Sequence, residues 1–298
     1  MTPRGAPPDR FPWAARFLDV GGAMMAYLDE GSGPPVVMVH GNPTWSFAWR
    51  ELITELCVDH RCVVADHVGM GRSDKPRGYP YTLARRVADF GRLMDEVVGS
   101  EPATLCVHDW GGAIALGWAV AHPHRVARLV ILNTAAFRLL PGRRLPLALA
   151  AVRSRPFGDV VERCLGLFTM GAALRGVTRP LSRAVRRGYL APYRRPSDRV
   201  ATRAFVRDIP VAPTDAAYAT LAATEDRLHL LADRPALVCW GGRDPVFDGG
   251  YLAAWRLHLP DAEVHTFERA GHFVLEDARD EVAALVRGFL DRTAPVPS

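Results

Sequence analysis

The hydrophobic positions of this chain fall into short continuous runs, and longer stretches with helical spacing lie between them. Strands that are apolar on both faces and alternate with helices form parallel sheets covered on both sides. The segment RFLDV-GG-AMMAYLDEG (16–31) instead predicts a hairpin with a Gly-Gly turn. We therefore expect an α/β fold with a mostly parallel eight-stranded sheet and helices on both faces. The remaining predicted strands are PPVVMVH (34–40), RCVVAD (61–66), ATLCVHD (103–109), VARLVILN (126–133), RPALVCWGGRD (234–244) and AEVHTF (262–267).

The alternation of strands and helices is interrupted once, between residues 136 and 231. This segment contains helical patterns, prolines and arginines but no strand pattern. One core domain with an inserted helical cap explains the interruption: core 1–135, cap 136–231 and core 232–298. Outside the cap, helical patterns occur at 46–56, 82–98 (with Thr82 as the cap), 111–123, 248–258 and 279–290.

Length and composition exclude several classes of protein. The 298 residues contain no run of 18 apolar residues, so no transmembrane helix is expected. The Pro-rich start MTPRGAPPDRFPW lacks the apolar core of a signal peptide, and we expect a loose arm and a cytoplasmic protein. The sequence has neither zinc-finger spacing nor an RNA-recognition signature, which argues against a nucleic-acid partner. The motifs imply no metal and no cofactor.

Positive charge is concentrated in the predicted cap. Residues 138–207 contain 16 arginines and three carboxylates, a net charge of +13, while the whole chain carries only +5. Such asymmetry favours an acidic partner or an anionic membrane surface. A solvated arginine-rich face is the alternative, because the chain has a single lysine and arginine supplies nearly all its positive charge.

The cap also contains two apolar segments, LPLALAAV (145–152) and CLGLFTMGAAL (164–174). Ligand sites often lie between domains, so these segments predict an apolar tunnel between cap and core, and a hydrophobic small-molecule substrate. Ordinary packing of helices explains the same residues equally well.

The central motif is LCVHDWGG, in which an apolar strand ends at His108 and a helix opens at Gly111. A sharp strand-to-helix turn with small neighbours, the nucleophile elbow, presents one side chain above the sheet. Here that side chain is Asp109, where esterases have serine. A carboxylate is ionised at neutral pH and can displace a leaving group from saturated carbon, forming an alkyl ester. The alternative is an aspartate that only caps the following helix.

A hydrolase must cleave such an ester with activated water, which requires a general base and an acid that orients it. His272 in ERAGHFVLEDA follows the last strand pattern, and Asp244 in VCWGGRDPVFD follows the strand before it. Asp109, Asp244 and His272 match the chain order of nucleophile, acid and base in the α/β-hydrolase fold. Asp248 is the alternative acid, although its position at a helix start favours an N-cap.

The stretch VVMVHGNPTWSF contains an amide, Asn42, at a tight turn after a buried strand. In this fold the loop after the third strand supplies one oxyanion-hole N–H, and the residue after the nucleophile supplies the other. These residues are Asn42 and Trp110, and both also carry side-chain donors. We expect the donors to stabilise a leaving anion where its charge develops.

The motifs HGNPTWS, DHVGMGRSDKP, HDWGG, GRDPVFD and AGHFVLEDA resemble those of the haloalkane dehalogenases of the α/β-hydrolase superfamily, over nearly the whole chain. The resemblance implies that Asn42 and Trp110 bind the halide. One dehalogenase subgroup carries its acid near position 133, and the amide of Asn133 there favours Asp244. The related epoxide hydrolases use two cap tyrosines as acids, which remains an alternative because the cap contains Tyr189, Tyr193 and Tyr218.

A closer resemblance is to the β-lactone decarboxylases of bacterial long-chain olefin biosynthesis, which convert cis-3,4-dialkyl β-lactones to cis-alkenes and carbon dioxide. It is carried by LNTAAF (132–137) and, within the cap, by YLAPY (189–193) and FVRDIP (205–210). It implies attack of Asp109 on the ring carbon that bears oxygen, a departing carboxylate in place of halide, and loss of carbon dioxide without water. The role of His272 stays open. Other enzymes of the olefin pathway are the implied partners of the basic cap.

Overall fold

The protein is represented by a computed structural model that describes residues 11–154 and 157–293. The Pro-rich arm expected at the start of the chain falls mostly within residues 1–10, which lie outside the described residues. Among the helices of the described ranges, none has the length and apolar character that a membrane span requires.

Eight strands of the described chain form one sheet, in the order β1-β2-β4-β3-β5-β6-β7-β8. Strand β2 pairs antiparallel with β1 and with β4, and every other neighbouring pair is parallel. The predicted hairpin and the mostly parallel eight-stranded sheet are therefore confirmed. The strands are β1 Arg16–Asp19, β2 Met24–Glu30, β3 Pro35–Val39, β4 Arg61–Ala65, β5 Ala103–Asp109, β6 Val126–Thr134, β7 Ala236–Gly241 and β8 Glu263–Phe267.

The central strands are buried along their whole length. Every residue of β3, β5 and β7 is buried, as expected for continuous apolar runs in a sheet covered on both faces. The hairpin between β1 and β2 turns through Gly21 and Gly22, with φ of 80° and 97°. Residues other than glycine rarely adopt such positive φ values, so the Gly-Gly pair permits the turn.

The α-helices begin and end close to the positions that the sequence patterns predict. Thr82 caps α2, since its side chain accepts a hydrogen bond from the Arg85 N–H. Asp248 likewise caps α9 by accepting from the Gly250 N–H, which confirms the N-cap prediction for this residue. The helices are α1 Arg50–Leu56, α2 Leu83–Leu93, α3 Trp110–Ala119, α4 Leu147–Arg153, α5 Leu167–Arg175, α6 Arg183–Leu190, α7 Val200–Arg207, α8 Tyr218–Glu225, α9 Gly249–His258, α10 Val274–Asp277 and α11 Arg279–Arg292.

A helical insertion separates β6 from β7. Between Thr134 and Ala236 the described residues form helices, turns and loops but no strand. We call residues 136–231 the helical insertion. The boundaries predicted from the sequence lie in the connections that follow β6 and precede β7, and the assignment of the insertion as a separate cap domain stays a prediction.

A buried ion pair anchors the insertion to the core. The carboxylate of Glu276 in α10 accepts two hydrogen bonds from the guanidinium of Arg50 in α1, at 2.6 and 2.9 Å. The hydroxyl of Tyr189 in α6 donates to the same carboxylate at 2.6 Å. The side chains of Arg50 and Glu276 are only 2% and 6% exposed, so each charge depends on the other for compensation.

We expect Glu276→Ala to lower the free energy of unfolding by about 3–5 kcal/mol, because it removes the carboxylate that forms two hydrogen bonds with the buried guanidinium of Arg50. Urea denaturation followed by circular dichroism measures the effect. The matched control is Glu96→Ala, which removes the partner of Arg92 in an exposed pair and should cost less than about 1 kcal/mol. Equal effects of the two substitutions would contradict the anchoring role of Glu276.

Candidate active site

Asp109 occupies a strained turn between β5 and α3. Its backbone has φ 51° and ψ −126°, a conformation that residues other than glycine rarely adopt. The chain packs so closely around this turn that Gly111 and Gly112 have no room for a side chain. A Cβ at Gly111 would lie 2.0 Å from the carbonyl oxygen of Val39, and one at Gly112 would lie 2.1 Å from the Thr134 hydroxyl. The tight elbow predicted from LCVHDWGG is present.

The carboxylate of Asp109 is held by the loop after β3. The backbone N–H of Asn42 donates to Asp109 Oδ1 at 2.6 Å. This approach is possible only because Gly41 has no side chain, since a Cβ there would lie 2.1 Å from Asp109 Oδ1. Asp109 makes no side-chain bond of the N-cap type to α3, so the alternative of a simple capping aspartate is wrong.

His272 and Asp244 complete a row of three groups with Asp109. The Nδ1 of His272 lies 2.8 Å from Asp244 Oδ2, and its Nε2 lies 3.7 Å from Asp109 Oδ2. All three residues are buried. The second oxygen of Asp244 accepts from the Val246 N–H at 2.7 Å, which fixes the carboxylate after β7. The model thus brings the three residues together in the order expected from the sequence.

Asn133 holds Asp244 in place, a contact that the sequence did not reveal. Its Nδ2 donates to Asp244 Oδ2 at 3.0 Å and to the Gly241 carbonyl at 3.1 Å, and its Oδ1 accepts from the Gly241 N–H at 2.7 Å. Asn133 is fully buried and has φ 31°. Sequence reasoning used this residue only to exclude a carboxylate after β6. The available signal was an amide ending an apolar strand, the same signal that singled out Asn42.

His108 contacts the backbone and the ring of His272. Its Nε2 lies 2.8 Å from the carbonyl oxygen of His272, and the two rings are 4.8 Å apart. Burial and the neighbouring His272 lower the pKa of His108 to about 3, so its imidazole is neutral. A neutral imidazole that donates through Nε2 fixes the His272 backbone without adding charge to the site. The sequence placed His108 only at the end of a strand.

The charge balance of the site favours a cationic His272. Burial lowers the pKa of His272, but the carboxylates of Asp244 and Asp109 outweigh this effect and raise it to about 9. Burial raises the pKa of Asp109, while His272 and the backbone N–H groups of Asn42 and Trp110 oppose the rise. At neutral pH the protonated imidazole of His272 therefore lies between the side chains of Asp244 and Asp109.

The side chains of Asn42 and Trp110 lie against helix α7 of the insertion. The Nδ2 of Asn42 donates to the carbonyl of Thr202 at 2.9 Å, which leaves its second N–H for another acceptor. Its Oδ1 is buried and has no hydrogen-bond partner within the described chain. The indole of Trp110 packs edge-on against Phe205, with ring centroids 5.5 Å apart. The link from Asn42 to the insertion was not anticipated.

A cavity of about 570 Å³ lies between the core and the insertion, with Asp109 and His272 in its wall. Most of its lining is apolar, and the two segments singled out in the sequence, 145–152 and 164–174, both contribute to it. Such a wall favours a ligand with hydrocarbon substituents and a small polar centre. The side chains with polar atoms in the lining are Asn42, Asp109, Trp110, Arg175, Tyr251 and His272.

The three tyrosines of the insertion are absent from the cavity lining among the described residues. Tyr189 donates to Glu276, as above, and Tyr193 donates to the carbonyl of Thr44 at 3.2 Å. The described chain also contains no group of three or more His, Cys, Asp or Glu side chains arranged to hold a metal ion.

Comparison with known proteins agrees with this geometry. Residues 34–278 match the family described as alpha/beta hydrolase fold. Curated cis-3-alkyl-4-alkyloxetan-2-one decarboxylases from Shewanella oneidensis and Xanthomonas campestris are each 45% identical to this chain. These matches cover 95% and 91% of this chain, and 90% and 93% of the relatives. The resemblance to β-lactone decarboxylases is therefore confirmed.

Dehalogenases form a second group of relatives. The haloalkane dehalogenase of Mycobacterium marinum is 35% identical, over 92% of this chain and 92% of its own length. The crystal structure of the haloalkane dehalogenase DatA from Agrobacterium tumefaciens C58 superposes with a TM-score of 0.86 at 25% identity. That match covers 94% of this chain and 97% of the dehalogenase, so the fold extends over both proteins.

We expect Asn133→Ala to lower the free energy of unfolding by about 2 kcal/mol, because it removes the hydrogen-bond partner of the buried Gly241 N–H. Urea denaturation measures the loss as a lower midpoint with an unchanged slope. A midpoint equal to that of the unsubstituted protein would show that Asn133 does not hold the end of β7.

Proposed function

This chain belongs to the α/β hydrolase family, and on that basis we propose that it decarboxylates cis-3,4-dialkyl β-lactones (cis-3-alkyl-4-alkyloxetan-2-ones) to cis-alkenes and carbon dioxide. We assign Asp109 as the nucleophile, His272 and Asp244 as its catalytic partners, and residues 136–231 as a cap domain that encloses the alkyl chains. The observation that carries the proposal is the contact of Asp109 and His272 with an almost wholly apolar cavity.

The first proposed step opens the lactone ring. Oδ1 of Asp109 is engaged by the Asn42 N–H, so Oδ2 is the oxygen available to attack ring carbon C4. A bond forms between Oδ2 and C4, and the bond between C4 and the ring oxygen breaks. The ring oxygen leaves as part of a carboxylate that stays attached to C3. The product of this step is an alkyl ester of Asp109.

The second proposed step releases the products. The bond between C3 and the carboxylate breaks, its electron pair forms the C3–C4 double bond, and the C4–Oδ2 bond breaks to regenerate the Asp109 carboxylate. Attack from behind inverts C4 and places the ester oxygen anti to the carboxylate. Anti elimination then converts a cis-lactone to a cis-alkene. Atoms and charge balance without water or an added reagent.

Fixed donors lie where negative charge develops in both steps. The second amide N–H of Asn42 and the indole N–H of Trp110 are the proposed donors to the departing carboxylate. The backbone N–H of Asn42 stays on Oδ1 and favours departure of Asp109 as an anion in the second step. Donors held by the fold before reaction need little rearrangement in the transition state.

The sequence left the role of His272 in decarboxylation open, and its raised pKa indicates one. An imidazolium beside Asp109 counters the charge of the nucleophile and of the leaving carboxylate, and decarboxylation requires no proton transfer from it. Asp244 and Asn133 would then orient this cation. We therefore propose electrostatic stabilisation, and not general base catalysis, for His272 in this reaction.

Hydrolytic dehalogenation is the second candidate, favoured by the 35% identical relative and by the same donors. It requires neutral His272 to accept a proton from water. Formation of the ester neutralises Asp109 and so lowers the pKa of His272 towards that state. Epoxide hydrolysis has less support, because Tyr189 and Tyr193 bond to other groups and neither lines the cavity within the described chain.

Purified protein incubated with a cis-3,4-dialkyl β-lactone is expected to form a cis-alkene and carbon dioxide, measured by gas chromatography. Asp109→Asn should reduce the rate at least about 1000-fold, because the amide is a poor nucleophile. The same protein incubated with 1-bromobutane provides the competing assay. Rapid bromide release without alkene from the lactone would replace decarboxylation by dehalogenation as the function.

The pH dependence of alkene formation tests the role of His272. The protonated imidazole is present below its pKa of about 9 and is lost above it. We expect kcat/KM, which reports the free enzyme, to be constant near neutral pH and to decline as pH rises through about 9. A kcat/KM that increases with pH over the same interval would show that neutral His272 acts as a base.

A further inference from the structure

One side of the helical insertion exposes an unusual number of large apolar side chains. They come from α4, from residues 157–165 around the π-helical turn Asp159–Cys164, and from α5. Both helices contact the turn, so the three elements are neighbours. Surfaces of this kind usually mark contact with another molecule or a membrane. We call the set the apolar rim: Leu147, Phe157, Val160, Leu165, Leu167, Met170 and Leu174, with exposed fractions from 44% to 89%.

The apolar rim is continuous with the cavity of the active site. Phe157 and Leu167 are 57% and 48% exposed, and both also line the cavity. An apolar ligand could therefore move between the cavity and the rim while remaining in contact with hydrocarbon. Exposure to water would be unfavourable for such a ligand in proportion to its apolar area.

A strongly basic segment adjoins the rim. Helix α6 contacts α5, and the stretch 175–195 around it carries seven arginines. The sequence has no acidic residue between Glu162 and Asp198. All seven arginines are exposed. We call them the basic segment: Arg175, Arg179, Arg183, Arg186, Arg187, Arg194 and Arg195.

The core holds the basic segment in position. Tyr189 of α6 bonds to the buried Glu276 at 2.6 Å, so the helix rests on α10. Asp277 of α10 accepts the backbone N–H groups of Thr178 and Arg179. These two carboxylates, of which Glu276 already pairs with Arg50, do not neutralise seven arginines, and the segment presents a positive surface.

From these two adjoining features we infer that the apolar rim and the basic segment form a docking surface for an anionic lipid bilayer. Arginines attract acidic headgroups, and neighbouring apolar side chains insert at the boundary between headgroups and acyl chains. Both elements are needed for stable attachment, because no helix of the described ranges could span a bilayer. The cavity mouth at Phe157 and Leu167 would then face hydrocarbon. Docking of a protein partner does not require an apolar area beside a basic one, so the combination favours a bilayer.

Co-sedimentation of the full chain with vesicles tests the surface. We expect binding to mixed phosphatidylcholine–phosphatidylglycerol vesicles, weak binding to pure phosphatidylcholine, and a loss of binding as salt rises from about 50 to about 500 mM. The triple variant Arg183→Gln, Arg186→Gln, Arg187→Gln should weaken binding about 100-fold. The triple variant Leu147→Ser, Leu165→Ser, Leu174→Ser should weaken it at least about tenfold.

Matched controls come from exposed residues outside the insertion. Two double variants serve as controls: Arg77→Gln with Arg256→Gln, and Leu257→Ser with Val58→Ser. Both should leave vesicle binding unchanged, because these exposed side chains lie outside the helical insertion. Circular dichroism and thermal melting verify that each variant is folded. The inference would be overturned if either triple variant bound vesicles as strongly as the unsubstituted protein, or if the unsubstituted protein did not bind anionic vesicles at low salt. It would also be overturned if the leucine variant changed its oligomeric state and kept its vesicle binding, because the rim would then be a contact between proteins.

A second readout depends on the proposed function. Turnover of a long-chain β-lactone dissolved in anionic vesicles should fall in both triple variants. Turnover of a short-chain lactone in solution should stay unchanged, because none of the six substituted residues lines the cavity. If no lactone is converted, the proposed function fails, while the vesicle-binding result still decides the docking surface.

Discussion

The hydrogen bond from the Asn42 N–H to Asp109 is the contact on which the rest of the site depends. It places a carboxylate at the end of the central strand β5, in a turn with φ 51° and ψ −126°. Burial opposes the charge of that carboxylate, and the backbone N–H groups with the imidazole of His272 support it. The glycines beside the turn follow from this constraint, because a Cβ at Gly41 or Gly111 would occupy the space of the carboxylate or of β3.

The carboxylate of Asp109 is the first in a row of buried polar groups that contact one another. Asp109 faces His272, His272 faces Asp244, and Asp244 is held by Asn133, which also bonds both backbone groups of Gly241. A buried ionised group is tolerated only when its neighbours satisfy it, so each group requires the next. Strands β5, β6 and β7 are adjacent in the sheet, and their ends bring these residues together.

The insertion contributes contacts and cavity wall to a site that the core assembles. Its Thr202 carbonyl holds the amide of Asn42, and its Phe205 covers the indole of Trp110. Residues of the insertion form most of the cavity wall, and its apolar surface continues into an exposed rim. The core thus supplies the row of polar groups, and the insertion supplies most of the apolar surface around them.

The sequence by itself determined the sheet, the helical insertion and the residues assigned to the site, because these depend on local order: apolar period, turn glycines and the chain order of Asp109, Asp244 and His272. The domain limits and the catalytic roles stay predictions. Only the tertiary structure revealed the contacts of Asn133 and His108, the bond from Asn42 to Thr202 and the raised pKa of His272. These contacts join residues more than 100 positions apart, except for His272 and Asp244, and pKa values depend on burial among such neighbours. No local pattern encodes distances of that kind.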